Sequence, residues 1–372
     1  MNAHKLIILV FLAGFLSVSH IAQAESWLEL AWPETDFTNK LVELDEIQSG
    51  GPPKDGIPPV DQPKFVSVSQ AESWIEANEP VIFLQIADQV RAYPLQIMTY
   101  HEIVNDQIGE IPISITFCPL CNASIVFDRR VDNKLLDFGT TGLLRKSDLV
   151  MYDRQTMSWW QQFSGRAIIG EMAGTMLKTI PAEVVSFESF AAAFPNGRVL
   201  SRDTGHNRPY GRNPYQGYDR IGQRPFLFND PVDPRLPAME RVLNVSVDGK
   251  HKIYPFSRLE KNQVINDQVG SQPVLVVAIE QVRSALDQSN IATSRLIPSV
   301  TAFSRSLDNE TLSFQWSGGN LIDEQTMSHW NRYGTATAGP LAGKKLQKLG
   351  GGSHFAFAWL AFNPESMIYS EE

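Results

Sequence analysis

Cysteine is almost absent: the 372 residues hold two, Cys118 and Cys121. A bridge between them would close so short a loop that it would contribute at most about 2 kcal/mol, so stapling is a poor account of how a chain this long folds. Runs of Lys or Arg are also missing. With 32 basic against 41 acidic residues and a formal charge of -9, there is no basic stripe for nucleic acid to follow. Beyond residue 24 no segment approaches the roughly 20 uninterrupted apolar residues of a membrane helix. No phosphate-cradling glycine loop, no Ser/His/Asp order and no nucleotide or flavin signal occurs.

The first 24 residues carry one positive charge, Lys5, then the apolar run Leu6 to Leu16, then Ala22-Gln23-Ala24. That small-x-small ending is what a signal peptidase reads, so the expectation is a cleaved signal peptide at 1–24 and a periplasmic or secreted destination. Cleavage would bring the charge to -10 and leave 348 residues, enough for two domains. The 23 prolines and 25 glycines are scattered, which favours many short strands joined by turns.

Internal similarity is the strongest organising signal. Tyr93-Pro94, followed by Val104-Asn105-Asp106-Gln107, recurs at the same spacing as Tyr254-Pro255 and Ile265-Asn266-Asp267-Gln268. Further on, Gln155-Thr156-Met157-Ser158 recurs as Gln325-Thr326-Met327-Ser328. The expected fold is therefore mainly β with short helices (α+β), as two tandem copies of a small β barrel or sandwich. The expected boundaries are an extended segment at 25–79, a first copy at 80–200, a packed connector at 201–240 and a degenerate second copy at 241–372. In copy one, hairpins are expected across Asp88-Gln89 and Asp132-Asn133, with a helix over 96–105.

Cys118-Pro119-Leu120-Cys121 falls between two strand-like stretches, not at the start of a helix as in thioredoxin-like enzymes. That context suggests a knuckle whose sulfurs share a pocket, as in metal-binding ribbons. Two thiolates do not complete a tetrahedral site, so a third ligand is needed. His101 is the first candidate, with His206 and Met98 weaker ones, and copper or zinc suits such soft ligands. Glu102 is a possible carboxylate behind His101, and Asp203 a possible partner for His206. At matching offsets the second copy has Asn262, Ile279 and Val282 in place of His101, Cys118 and Cys121, so all three are lost together. The same cysteines also permit thiol-disulfide redox exchange, or an inert disulfide in a scaffold module that binds a partner. No substrate or biological partner is indicated.

The stretches Phe117 to Asn122, Gly142 to Asp153, Ser158 to Phe163 and Pro209 to Tyr215 together resemble the secreted bacterial family catalogued as domain of unknown function 3179. The resemblance implies export and a prominent Cys-Pro-x-Cys turn. It implies no catalytic roles.

Overall fold

The computed structural model describes residues 27–349 and 352–370, so the expected signal peptide lies outside the described residues. The fold is mainly β and is built from several separate sheets, none of them closed. This corrects the expectation of barrels. A barrel needs an unbroken round of strand pairing, whereas the sheet that carries the cysteines runs Thr179–Ile180, Ala123–Asp128, Ile111–Cys118, Ile103–Ile108 and stops at both edges. One of those edges is only 2 residues long.

Local sequence explains the elements well. Val81 to Leu84 are all buried, and Pro80–Ile86 pairs with Gln89–Pro94 across a turn in which Ala87 takes φ 53°. Pro94 then ends pairing and stands at the N-cap of helix Leu95–His101, because a proline lacks the N–H a ladder needs but suits a helix start. Seven residues cannot hold a helix alone. Burial of Leu95, Ile97 and Met98 does so, each large apolar side chain contributing roughly 1.5–3 kcal/mol. Glu102, in the left-handed region at φ 57°, stops the helix four residues short of the expected end and turns the chain into Ile103–Ile108.

The pairing order of the first half recurs in the second. Glu183–Ser186, Pro80–Ile86, Gln89–Pro94 and Arg198–Leu200 lie side by side as do Ser353–Phe355, Arg241–Val247, Lys250–Pro255 and Met367–Ile368. A third sheet places Phe138–Arg145, Asp148–Asp153, Trp159–Gln161 and Arg166–Ile169 in the order of Phe314–Ser317, Asn320–Asp323, His329–Trp330 and Ala336–Ala338. The buried polar bonds recur too. Tyr93 donates to Asp106 at 2.6 Å, and Tyr254 to Asp267 at 2.8 Å. Trp160 Nε1 donates to Asp153 at 2.8 Å, and Trp330 Nε1 to Asp323 at 2.9 Å.

One apolar core crosses between the halves: Phe117 and Trp160 share it with Leu286, Phe355 and Trp359. Residues 201–240 form neither helix nor strand, yet Tyr210, Tyr215, Tyr218 and Phe228 pack on that core. Arg241 and Arg295 both pair with the buried Asp219 at 2.7 Å, which pins this connector to the second half. Among the described residues no helix is long and apolar enough to cross a membrane.

Candidate metal centre

Ile111–Cys118 and Ala123–Asp128 are antiparallel neighbours, and Cys118-Pro119-Leu120-Cys121 is the turn between them. Asn122 closes it, donating its N–H to the Pro119 carbonyl at 3.2 Å with φ 50°. Asparagine tolerates that left-handed conformation better than most residues. Both thiols are buried and free, so the structure contains no Cys118–Cys121 disulfide.

A second turn faces them. The hairpin Phe138–Arg145/Asp148–Asp153 turns at Lys146 and Ser147, with φ 53° and 66°. Two successive positive φ values are the geometry of a tight hairpin turn that usually takes Asn or Gly. Here ordinary side chains carry it, at a cost on the order of 1 kcal/mol each. The result is that the Ser147 carbonyl accepts from Cys121 Sγ at 3.5 Å and from Cys118 Sγ at 4.0 Å. Asp148 follows directly. One ligand atom each from Cys118, Cys121 and Asp148 lies within 4.8 Å of the others, and all three residues are buried.

Asp148 is held by one of its two oxygens. Oδ2 accepts from Gln161 Nε2 at 2.6 Å and from the Phe163 N–H at 2.9 Å. Oδ1 is buried and receives no hydrogen bond from an N–H or O–H group. Such an atom calls for an explanation, because a buried acceptor left unpaired costs about 1–3 kcal/mol.

The electrostatics are those of a dry pocket of acids. Burial pushes Asp148 up to about 6 against the bonds from Gln161 and Phe163 and from the Cys121 and Cys118 thiols. Burial likewise pushes Glu102 up to about 8, with the Tyr215 hydroxyl opposing and Asp148 adding to the rise. The Cys118 thiol is raised by burial, lowered by its contact with Cys121, and raised again by Asp148 and Glu102. Burial and the neighbouring Cys118 drive Cys121 well above the usual thiol range. Glu102 and the two thiols therefore hold protons at neutral pH while Asp148 has given its up, and a cation bound by the thiols would displace theirs.

The other expected ligands are placed differently. His101 is fully buried with both ring nitrogens engaged: Nδ1 meets the Pro58 carbonyl and Nε2 the Tyr210 hydroxyl, each at 2.6 Å. A carbonyl only accepts, so Nδ1 carries the hydrogen and Nε2 receives one from Tyr210. Burial holds this imidazole down to about 4, that is, neutral. It ties helix, connector and N-terminal segment together, and it is not one of the three residues that converge. His206 is exposed, 5.4 Å from the His101 ring, and Asp203 pairs with Lys64 at 2.7 Å, so Asp203 does not orient it. Met98 is a fully buried core residue. Glu102 is hydrogen-bonded by Tyr215 at 3.3 Å.

Sequence reasoning missed Asp148. A signal for it existed in a difference of length: the hairpin spanning 138–153 corresponds in strand order to that at 314–323, which is six residues shorter. The extra length is what brings Ser147 and Asp148 to the knuckle.

Compared with known proteins, the chain finds no match among curated entries and none among solved structures. A family profile described as "Protein of unknown function (DUF3179)" matches residues 54–366, and the chain belongs to that family.

Proposed function

We propose that this is an exported protein that binds one transition-metal ion, zinc or copper, through Cys118, Cys121 and Asp148. The halves are read as copies of one module, of which only the first keeps the site. The observation that carries the reading is the convergence of the buried Asp148 carboxylate with two free, buried thiols. Two sulfurs and one oxygen suit a tetrahedral ion, with Glu102 adjacent or an outside ligand in the fourth place. His101 is replaced in this set because its lone pair is already occupied by Tyr210.

Thiol-disulfide exchange through the same cysteines is less well supported. The attacking species is the thiolate, and both thiols here are buried with raised pKa values. Elemental analysis of protein purified under reducing conditions, then challenged with zinc or copper(I), tests the choice. Close to one equivalent is expected, with affinity rising with pH as the thiols give up protons, and Cys118→Ser should lower it by at least a hundredfold. Equal uptake by wild type and by the Cys118→Ser/Cys121→Ser double variant would end the reading.

A further inference from the structure

A cleft of about 670 Å³ opens beside the acid cluster. Three elements build it. Leu120 comes from the knuckle, Leu143 and Leu149 from the long hairpin, and Pro225, Phe226 and Leu227 from the connector. Gly142, at φ +74°, lets the Gly50–Pro52 segment close one side, for a Cβ there would stand 1.9 Å from the Pro52 carbonyl oxygen.

The walls are fixed before anything binds. The Tyr218 hydroxyl accepts the Phe226 N–H at 3.1 Å, and Lys146 pairs with Asp230 at 2.6 Å, so the connector is fastened to the hairpin turn. A preformed pocket of this size, mostly apolar with a few converging polar groups, is the usual form of a small-molecule site. Here those polar groups are Glu102, Tyr215 and Tyr218, all lining the cleft where it meets the acid cluster. Of the other polar lining residues, Thr140 is buried with its hydroxyl given to the Ile57 carbonyl at 2.8 Å, and Gln223, Arg224 and Asn229 are exposed.

We infer that the cleft binds an uncharged, largely apolar small molecule whose single hydrogen-bonding head reaches Glu102 and Tyr215. An anionic head would lose its hydration against the apolar walls and face the Asp148 carboxylate behind Glu102. A cationic head would lose its hydration against leucine and proline walls and gain one carboxyl group in return. An uncharged head that exchanges hydrogen bonds with a carboxyl and a phenol meets neither penalty. The inference goes beyond metal binding and does not need the ion, although a molecule so placed would bring its head beside the proposed centre.

The test uses N-phenyl-naphthylamine, a neutral fluorophore, on the whole protein with chelator present and again after zinc addition. Saturable binding near one equivalent is expected in both. Phe226→Asp, at a ring that is 48% exposed, and Leu120→Arg, at a half-buried position, should each weaken it at least tenfold, and the exposed Met176→Asp should not. Unaltered thermal unfolding of Phe226→Asp certifies its fold. Absence of saturation, or binding unchanged in both cleft variants, would overturn the inference, as would tighter binding of the sulfonated analogue or of a quaternary ammonium analogue. Dye binding without zinc uptake leaves the pocket standing and removes the ion; zinc uptake without dye binding does the reverse.

Discussion

In the first half the strand Ile111–Cys118 breaks off into a tight turn, while its counterpart, Gln272–Arg283, runs on past the same point to 12 residues. The opposing hairpin differs in the other direction. It is long in the first half, and in the second it closes early over Gly318 and Gly319, both at positive φ. Each half thus keeps the same strand order and the same buried Tyr–Asp and Trp–Asp bonds, yet only one builds two facing turns. By register, Gln263 stands where Glu102 is and Ile279 where Cys118 is, and both line an open groove of about 1080 Å³. Arg332, at the position of Gln162, is buried there and pairs with Glu280 at 2.8 Å and Glu183 at 3.1 Å. The difference teaches that the same strand order forms in the second half without these acids. Their burial is a cost the second half does not carry.

The comparison can be broken most sharply at Asp148. Asp148→Asn keeps an acceptor oxygen for Gln161 and Phe163 but removes the charge, and zinc affinity by competition with a chelator should fall about 10- to 100-fold. An unchanged affinity would return Asp148 to the frame. The shared frame is tested by Asp153→Asn and Asp323→Asn, since each carboxylate is fully buried and accepts from a Trp and a Thr. Urea unfolding should show each variant losing about 2 kcal/mol, and only Asp153→Asn should also disturb metal uptake. If Asp323→Asn cost nothing, the halves would not rest on equivalent frames.

A third difference is pH-dependent. His354, buried with Nε2 on Asn244 at 3.0 Å, stands by register where the first half has Val185, and burial holds it down to about 3. Its folded pKa lies below the unfolded value near 6.5, so its contribution is complete above pH 6.5 and is lost as pH falls toward 3. His354→Val should therefore reduce the loss of stability between pH 7 and 4.5, on the order of 2 kcal/mol, in urea midpoints measured at both. The smallest effect is expected at the hairpin turn. Lys146→Ala breaks a partly exposed pair with Asp230 and should cost less than about 1 kcal/mol, with dye binding to the cleft weakened more than stability.

Much of the frame was legible. Turn residues at Ala87-Asp88 and Asp132-Asn133 and apolar alternation located hairpins within a residue or two, because these are local preferences of backbone and side chain. The helix was placed correctly and ended too late, since Glu102 adopts its positive φ only under the packing around it. The knuckle was legible because proline and asparagine act on their own neighbours. That Asp148 and not His101 converges with the cysteines was not legible, for a different reason. Proximity along the chain favoured the histidine, but whether its lone pair was free depended on Tyr210, 109 residues away.

What the sequence determined by itself was a β-rich chain carrying a Cys-Pro-x-Cys turn, because periodicity and turn chemistry are properties of short stretches. Only the tertiary structure decided that the sheets stay open and that Asp148 meets the sulfurs. It alone turned His101 toward Pro58 and Tyr210, and opened a cleft against Glu102. Those outcomes turn on which strands share an edge and which groups water cannot reach, and both are set when distant parts of the chain pack together.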